Sequence, residues 1–184
     1  MREDRRLSLE PEPAIRPGQI WLIEQSTASV LFPLDRGALT SADVVIYDRP
    51  LAPLVARFLP IGAYAEPLSL NAEAAGSAIS PRALQFAAEG WSVVQLVEAR
   101  PGRRERLRSA VAALMPLSGG GDLPLLAIAK TAADRHRRWE GCLRNSSDLI
   151  DEFGDDDPLT LVFGPLVIRY PAPAYAFAAN GLAG

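Results

Sequence analysis

The sequence is poor in the residues that form disulfides and most metal sites. It has one cysteine, Cys142, and one histidine, His136, among 184 residues. A single cysteine has no intramolecular disulfide partner, and one cysteine with one histidine falls short of a zinc ligand set. We therefore predict a buried, inert thiol and no metal site.

The sequence also lacks a surplus of positive charge and a long apolar run. It has 19 Lys and Arg residues against 22 Asp and Glu residues, which leaves no basic footprint for nucleic acid. No apolar run approaches the roughly 20 residues that span a bilayer. The charged, proline-rich stretch Met1–Pro17 does not have the pattern of a signal peptide. We predict a cytoplasmic protein that binds neither nucleic acid nor membrane.

Short apolar runs alternate with helical patterns along most of the chain, which predicts an α/β fold with mostly parallel sheets. The helix after residue 80 has the clearest start, because Ser80 can cap it and Pro81 suits its first turn. The predicted strands are Gln19–Ile23, Ala42–Asp48, Ile61–Ala65, Trp91–Val97, Leu123–Ala129 and Leu159–Gly164. The predicted helices are Leu34–Ser41, Pro53–Phe58, Ser80–Gly90, Arg103–Met115 and Leu143–Phe153.

Three motifs suggest chemistry but have a simpler interpretation. The run Gly119–Gly121 follows a predicted helix and precedes a strand, which is the reverse of a phosphate-binding loop. His136 lies in a basic run with no Gly-x-Ser-x-Gly motif nearby, so we predict a solvated loop histidine. Three adjacent carboxylates, Asp155–Asp157, do not converge as calcium ligands do, so we predict a polar turn.

Four predicted strands lead into polar residues, namely Glu24, Asp48, Glu98 and Lys130. Ligands of α/β folds bind beyond the carboxyl ends of the strands. Asp48 follows an otherwise apolar strand and could there accept a proton or bind an amine. The alternative is that Asp48 caps a helix or forms a salt bridge.

The segment Ala42–Pro53, which reads ADVVIYDRPLAP, resembles the strand "ADVVxYDRLVSP" of the tetrapyrrole methyltransferases, in particular the uroporphyrinogen-III C-methyltransferases. Further segments resemble this family in the same order along the chain, and the resemblance covers most of Gln19–Ile168. These segments are 87–96, 125–141, 143–154 and 159–164.

The resemblance implies two α/β domains with a tetrapyrrole and S-adenosylmethionine bound between them, usually in a homodimer. It makes Asp48 the candidate catalytic residue and Tyr47, Asp48 and Arg49 the candidate tetrapyrrole-binding residues. Lys130 and Thr131, at another strand end, are the candidate cofactor-binding residues. The expected organisation is an arm (1–16), a methylase-like domain (17–101), a second domain (102–170) that is reduced or merged with the first, and a tail (171–184).

The departures from the family affect the parts that bind the methyl donor. The family loop "GAGPGDP" is replaced by Glu24–Ser29, and the loop "GGDP" by Glu98–Gly102. Bulkier side chains than glycine hinder close approach of a ligand to the backbone. The family lysine corresponds to Ala63, and about a third of the family's length is missing after Arg100.

Three functions are compatible with this pattern. The first is a degenerate relative that no longer binds S-adenosylmethionine and has a binding or regulatory role. The second is an active methyltransferase with a rebuilt donor site. The third is a hydrolase or another unrelated enzyme on an α/β scaffold.

Overall fold

The structure is a computed structural model that describes residues 14–69, 78–118, 122–130, 136–153 and 158–166. Within these ranges, seven strands form one sheet: β1 (Ile20–Gln25), β2 (Val44–Tyr47), β3 (Tyr64–Pro67), β4 (Val93–Glu98), β5 (Pro124–Lys130), β6 (His136–Cys142) and β7 (Leu159–Phe163). The α-helices are α1 (Pro33–Ser41), α2 (Ala52–Phe58), α3 (Pro81–Ala88), α4 (Arg103–Leu114) and α5 (Ser146–Glu152). None of the helices in these ranges is both long and apolar enough to cross a membrane.

The sheet has the strand order β3-β2-β4-β1-β7-β5-β6. Strands β1 to β4 are parallel to one another, whereas β7 runs antiparallel to β1 and β5, and β6 runs antiparallel to β5. The predicted α/β class is confirmed, with a sheet that is parallel in one half and antiparallel in the other. Since β1 pairs with β7, one sheet contains strands from both predicted domains. The domain boundaries stay predictions.

Helices cover the sheet on two faces. On one face α3, α4 and α5 pack on Ile20, Val93 and Phe163 through buried small and branched side chains, and on the other α1 and α2 pack on Trp21 and Val45. Strand β2 is buried on both faces, as its continuous run Val44–Ile46 predicts for a central parallel strand.

The stretch around His136 corrects a prediction. His136 begins a strand, β6, and does not lie in a solvated loop. The sequence HRRWEGC has no run of alternating apolar residues, and it is extended because all seven residues pair with β5. Cys142, at the end of β6, is free and only half-buried, so the predicted burial is wrong.

Several predicted features lie outside the described residues. They are most of the arm (1–13), the glycine run 119–121, Thr131, the acidic run 155–157 and the tail 171–184.

The start of α3 confirms the predicted cap. The Oγ atom of Ser80 accepts a hydrogen bond from the backbone N–H of Arg82 at 3.2 Å, and Pro81 occupies the first helical position. Past the end of the helix, Gly90 has φ of 93°, the left-handed conformation that glycine adopts without strain.

Replacing Ser80 with Ala should lower the free energy of unfolding by about 1 kcal/mol, because one N–H group of the first turn loses its acceptor. Urea denaturation measures the change. Ser147→Ala is the matched control. Ser147 is exposed, and its hydroxyl lies 3.5 Å from Oδ1 of Asp148, which is a weak contact. Equal losses in the two variants would contradict the capping role.

Candidate functional site at the carboxyl edge of the sheet

The predicted strand ends meet at one edge of the sheet. Strands β1, β2 and β4 are parallel and therefore end there. The antiparallel strand β7 begins at the same edge, where Thr160 pairs with Ile23, and β5 ends there beside it. We call this edge, with the residues that follow the strand ends, the carboxyl edge. In open α/β sheets it is the usual place for a ligand.

Glu24 connects three elements at the carboxyl edge. Its side chain is 7% exposed, and its Oε1 atom accepts a hydrogen bond from Nη2 of Arg106 on α4 at 2.9 Å. Its Oε2 atom accepts from the backbone N–H of Leu159 at 3.2 Å, and its carbonyl oxygen accepts from Nζ of Lys130 at 2.9 Å. Glu24 therefore holds β5, β7 and α4 against the end of β1.

An ion pair between Asp35 and Lys130 lies next to Glu24 and is almost completely buried. Nζ of Lys130 is 2.5 Å from Oδ2 of Asp35, with side-chain exposures of 2% and 0%. Oδ1 of Asp35 accepts a hydrogen bond from Oγ1 of Thr160 at 2.6 Å. The ammonium group also lies 5.6 Å from the centre of the Phe32 ring, within range for a cation–π contact. The charge of Lys130 is thus compensated inside the protein.

The loops that follow β1 and β4 are fixed by side chains of the same edge. Nε2 of Gln25, a buried side chain, donates to the carbonyl oxygens of Ser26 and Ser29, both at 3.0 Å, and to Oγ of Ser29 at 2.7 Å. Arg106 donates to the carbonyl oxygens of Arg100 at 2.6 Å and Pro101 at 2.8 Å. The loop after β1 therefore folds over Gln25, and the loop after β4 folds over Arg106.

Asp48 has a structural partner at the end of β2. Its Oδ2 atom accepts a hydrogen bond from the backbone N–H of Glu98 at 2.7 Å and lies 4.0 Å from Nη2 of Arg100. Asp48 is buried, whereas Arg49 is exposed and Tyr47 is half-buried. Asp48 thus joins the ends of β2 and β4, as the salt-bridge alternative from the sequence describes.

The predicted catalytic and cofactor-binding residues do not form one cluster. Asp48 follows β2 and Lys130 ends β5, four strand spacings apart in the sheet, or about 19 Å at the usual spacing. Their roles in catalysis and in cofactor binding stay predictions, and the side chain of Lys130 has 2% exposure.

Sequence reasoning missed three members of the carboxyl edge: Asp35, Thr160 and Arg106. The sequence does contain a signal for Asp35. The other buried residues of α1 are apolar, and Asp35 is a carboxylate on the same face. A buried carboxylate requires a partner. The partner itself is not predictable from one sequence.

No metal site is found at this edge or elsewhere in the described part of the chain. No group of three or more His, Cys, Asp or Glu side chains there has an arrangement that could hold an ion.

Comparison with known proteins gives a likeness to solved structures. No protein-family model matches the sequence, and no curated protein matches it. A uroporphyrin-III-C-methyltransferase from Thermus thermophilus superposes with a TM-score of 0.37 and 19% identity, covering 80% of this chain and 92% of that chain. A cobalamin biosynthetic enzyme, cobalt precorrin-4 methyltransferase, superposes with a TM-score of 0.32 and 11% identity, covering 81% of this chain and 96% of that chain. Both neighbours are named as methyltransferases, and one of them is named for uroporphyrin III.

Replacing Lys130 with Met should destabilise the protein by about 3–5 kcal/mol, because it leaves the carboxylate of Asp35 buried without its cation. The double variant Asp35→Leu/Lys130→Met removes both charges and should recover most of this loss. Chemical denaturation measures both changes. A double variant as unstable as Lys130→Met alone would show that the ion pair is not the relevant interaction.

Replacing Asp48 with Asn should lower the free energy of unfolding by about 1–3 kcal/mol, since the charged acceptor for the N–H of Glu98 is lost. Asp122→Asn is the matched control, because Asp122 is exposed and its ion pair with Arg144 lies at the surface. A surface pair contributes at most about 1 kcal/mol. Similar melting temperatures for the two variants would contradict the structural role of Asp48.

Proposed function

We propose that this chain is a tetrapyrrole-methyltransferase-like protein that has lost methyl transfer from S-adenosylmethionine and has a binding or regulatory role for a tetrapyrrole. The observation that supports the loss is the state of the carboxyl edge. Side chains at the ends of β1 and β5 and on α4 bond to one another and to the backbone beside them. S-adenosylmethionine would have to displace these contacts in order to reach the strand ends.

The end of β1 supports the proposal most directly. The resemblance aligns Glu24–Ser29 with a glycine-rich loop, and a close approach of ligand to backbone there needs residues without bulky side chains. Glu24 and Gln25 are buried instead, and Gln25 binds the turn that Ser26 and Ser29 form. These residues do not fit S-adenosylmethionine.

The second loop supports the same conclusion. In the loop after β4 the family has a glycine pair and an aspartate. In this chain Arg106 donates hydrogen bonds to the carbonyl oxygens of Arg100 and Pro101 in that loop. A ligand that needed those backbone groups would leave the guanidinium of Arg106 without two of its acceptors. Each of these hydrogen bonds contributes about 0.5–1.5 kcal/mol net, and binding at these carbonyl oxygens would have to replace them.

Two arginines near the end of β2 support the binding of a carboxylate-rich ligand. Arg49 is exposed, and the Arg100 side chain is 50% exposed, with its Nη2 atom 3.4 Å from Oε2 of Glu98 and 4.0 Å from Oδ2 of Asp48. Exposed guanidinium groups form paired hydrogen bonds with carboxylates, and the tetrapyrroles of this family carry several. This supports a role in binding a tetrapyrrole in preference to a hydrolytic role.

Isothermal titration calorimetry with S-adenosylmethionine and with its demethylated product tests the loss of the donor site. We expect no heat of binding at micromolar to millimolar ligand, because the loops are held by internal hydrogen bonds. Micromolar affinity for either ligand would overturn the proposal and favour the alternative, an active methyltransferase with a rebuilt donor site.

Titration with uroporphyrin III, followed by absorbance, tests the tetrapyrrole role separately. Arg49→Ala and Arg100→Ala should each weaken binding by about tenfold, which corresponds to about 1.4 kcal/mol. Arg144→Ala is the control, because it makes the same change of charge away from the carboxyl edge. Arg144 pairs with Asp122, which precedes the start of β5, and its replacement should not change tetrapyrrole affinity. Equal losses in all three variants would indicate nonspecific attraction and contradict the site.

A further inference from the structure

A second concave site lies at the start of β1, at the opposite end of the strand from the carboxyl edge. It is a cavity of about 280 Å³ between the segment 14–19, which leads into β1, and one face of β7, β5 and β6. Sites for small molecules usually measure about 300–1,000 Å³. A cavity close to the lower limit of this range suits a small organic molecule and is too small for a tetrapyrrole.

A row of paired residues forms the floor of the cavity. Trp21 of β1 pairs with Val162 of β7. Leu126 of β5 lies between Val162 on one side and Glu140 of β6 on the other. Residues directly opposite one another project from the same face of a sheet, and all four line the cavity. Three apolar side chains therefore lie side by side and lead to a carboxylate on the edge strand.

The segment 14–19 forms one wall of the cavity and is attached to the floor. Oε1 of Gln19 accepts hydrogen bonds from the backbone N–H of Arg16 at 3.0 Å and from Nε1 of Trp21 at 3.3 Å. Ile15 packs on the apolar cluster that contains Trp21 and Val162. The position of the wall is thus fixed, and the exposed residue Arg16 borders the cavity.

The charged residues of the lining favour an anion with a single charge. They are two arginines, Arg16 and Arg138, and one glutamate, Glu140, so two positive charges against one negative leave a net charge of +1. Arg138 and Glu140 form an ion pair with side chains that are 42% and 61% exposed. This pair holds the guanidinium group in place. An arginine side chain has five N–H donors and can bind more than one acceptor.

A carboxylate fits this balance of charge better than a phosphate does. A guanidinium group forms paired hydrogen bonds with either anion. A phosphate monoester, however, has about 1.5–2 negative charges near pH 7, and this larger charge would lie close to Glu140. The apolar floor adds the requirement for an uncharged, apolar body beside the anionic group.

We propose that this cavity binds a small organic carboxylate. The apolar body of the ligand lies on Trp21, Val162 and Leu126, and its carboxylate binds Arg16 and Arg138. The site differs from the proposed tetrapyrrole site in its position and in the size of its ligand, and it does not depend on that function.

Titration of the full chain with phenylacetate, followed by heteronuclear NMR, tests this site. The reporter is the indole N–H of Trp21, which donates to Gln19 in the wall. We expect saturable shifts with a Kd of about 0.1–1 mM, as for a ligand of this size. Phenylacetamide has the same shape without the charge, and it should bind at least about tenfold more weakly because it forms no ion pair with the arginines.

Three variants test the charged and apolar parts of the site separately. Arg16→Ala and Arg138→Ala should each weaken phenylacetate binding about tenfold, since each removes a donor for the carboxylate. Leu126→Trp should abolish binding because the larger side chain fills the space above the floor. Circular dichroism checks that each variant is folded.

Arg108→Ala is the matched control for the loss of charge. Arg108 lies on α4, which packs on the opposite face of the sheet, and it pairs with Glu105 at the surface. Its replacement should leave the affinity unchanged. No shift of the Trp21 indole at millimolar phenylacetate, equal affinities for phenylacetate and phenylacetamide, or equal losses in Arg138→Ala and Arg108→Ala would each overturn the proposal.

Discussion

The carboxyl edge of the sheet depends on the buried ion pair between Asp35 and Lys130. Asp35 belongs to α1 and Lys130 to β5, and Thr160 of β7 donates to the same carboxylate. The pair therefore joins the helix layer on one face to the antiparallel half of the sheet. A buried ion pair contributes little net stability compared with an apolar pair of the same size. Its effect here is to determine which elements meet at the edge.

Glu24 extends this arrangement to the other side of the edge. It binds Lys130 through its carbonyl oxygen and Arg106 through its carboxylate, and Arg106 in turn binds the loop after β4. The result is a continuous set of charged and polar contacts from α1 to α4. These contacts use the charged groups of Lys130 and Arg106 inside the protein, at the edge where ligands of such folds usually bind. The proposed loss of the donor site follows from this arrangement.

The sequence predicts the elements whose own residues determine their structure. The continuous β-branched run of β2 requires cover on both faces, and Ser80-Pro81 provides both a cap and a first turn for α3. The carboxyl edge is predictable as a place, because Glu24, Asp48, Glu98 and Lys130 all follow apolar strands. It is not predictable as a set of contacts, since Asp35 and Thr160 are 125 residues apart in the chain. Strand β6 is missed for a related reason, because its conformation depends on pairing with β5.

Amide hydrogen exchange with and without millimolar S-adenosylmethionine tests the closed carboxyl edge most directly. The reporters are the N–H groups of Leu159 and Glu98, which donate to Glu24 and Asp48 respectively. The account predicts slow exchange of both amides in the free protein and no change when the ligand is added. Fast exchange in the free protein, or added protection at the ends of β1 and β4 with the ligand, would contradict it.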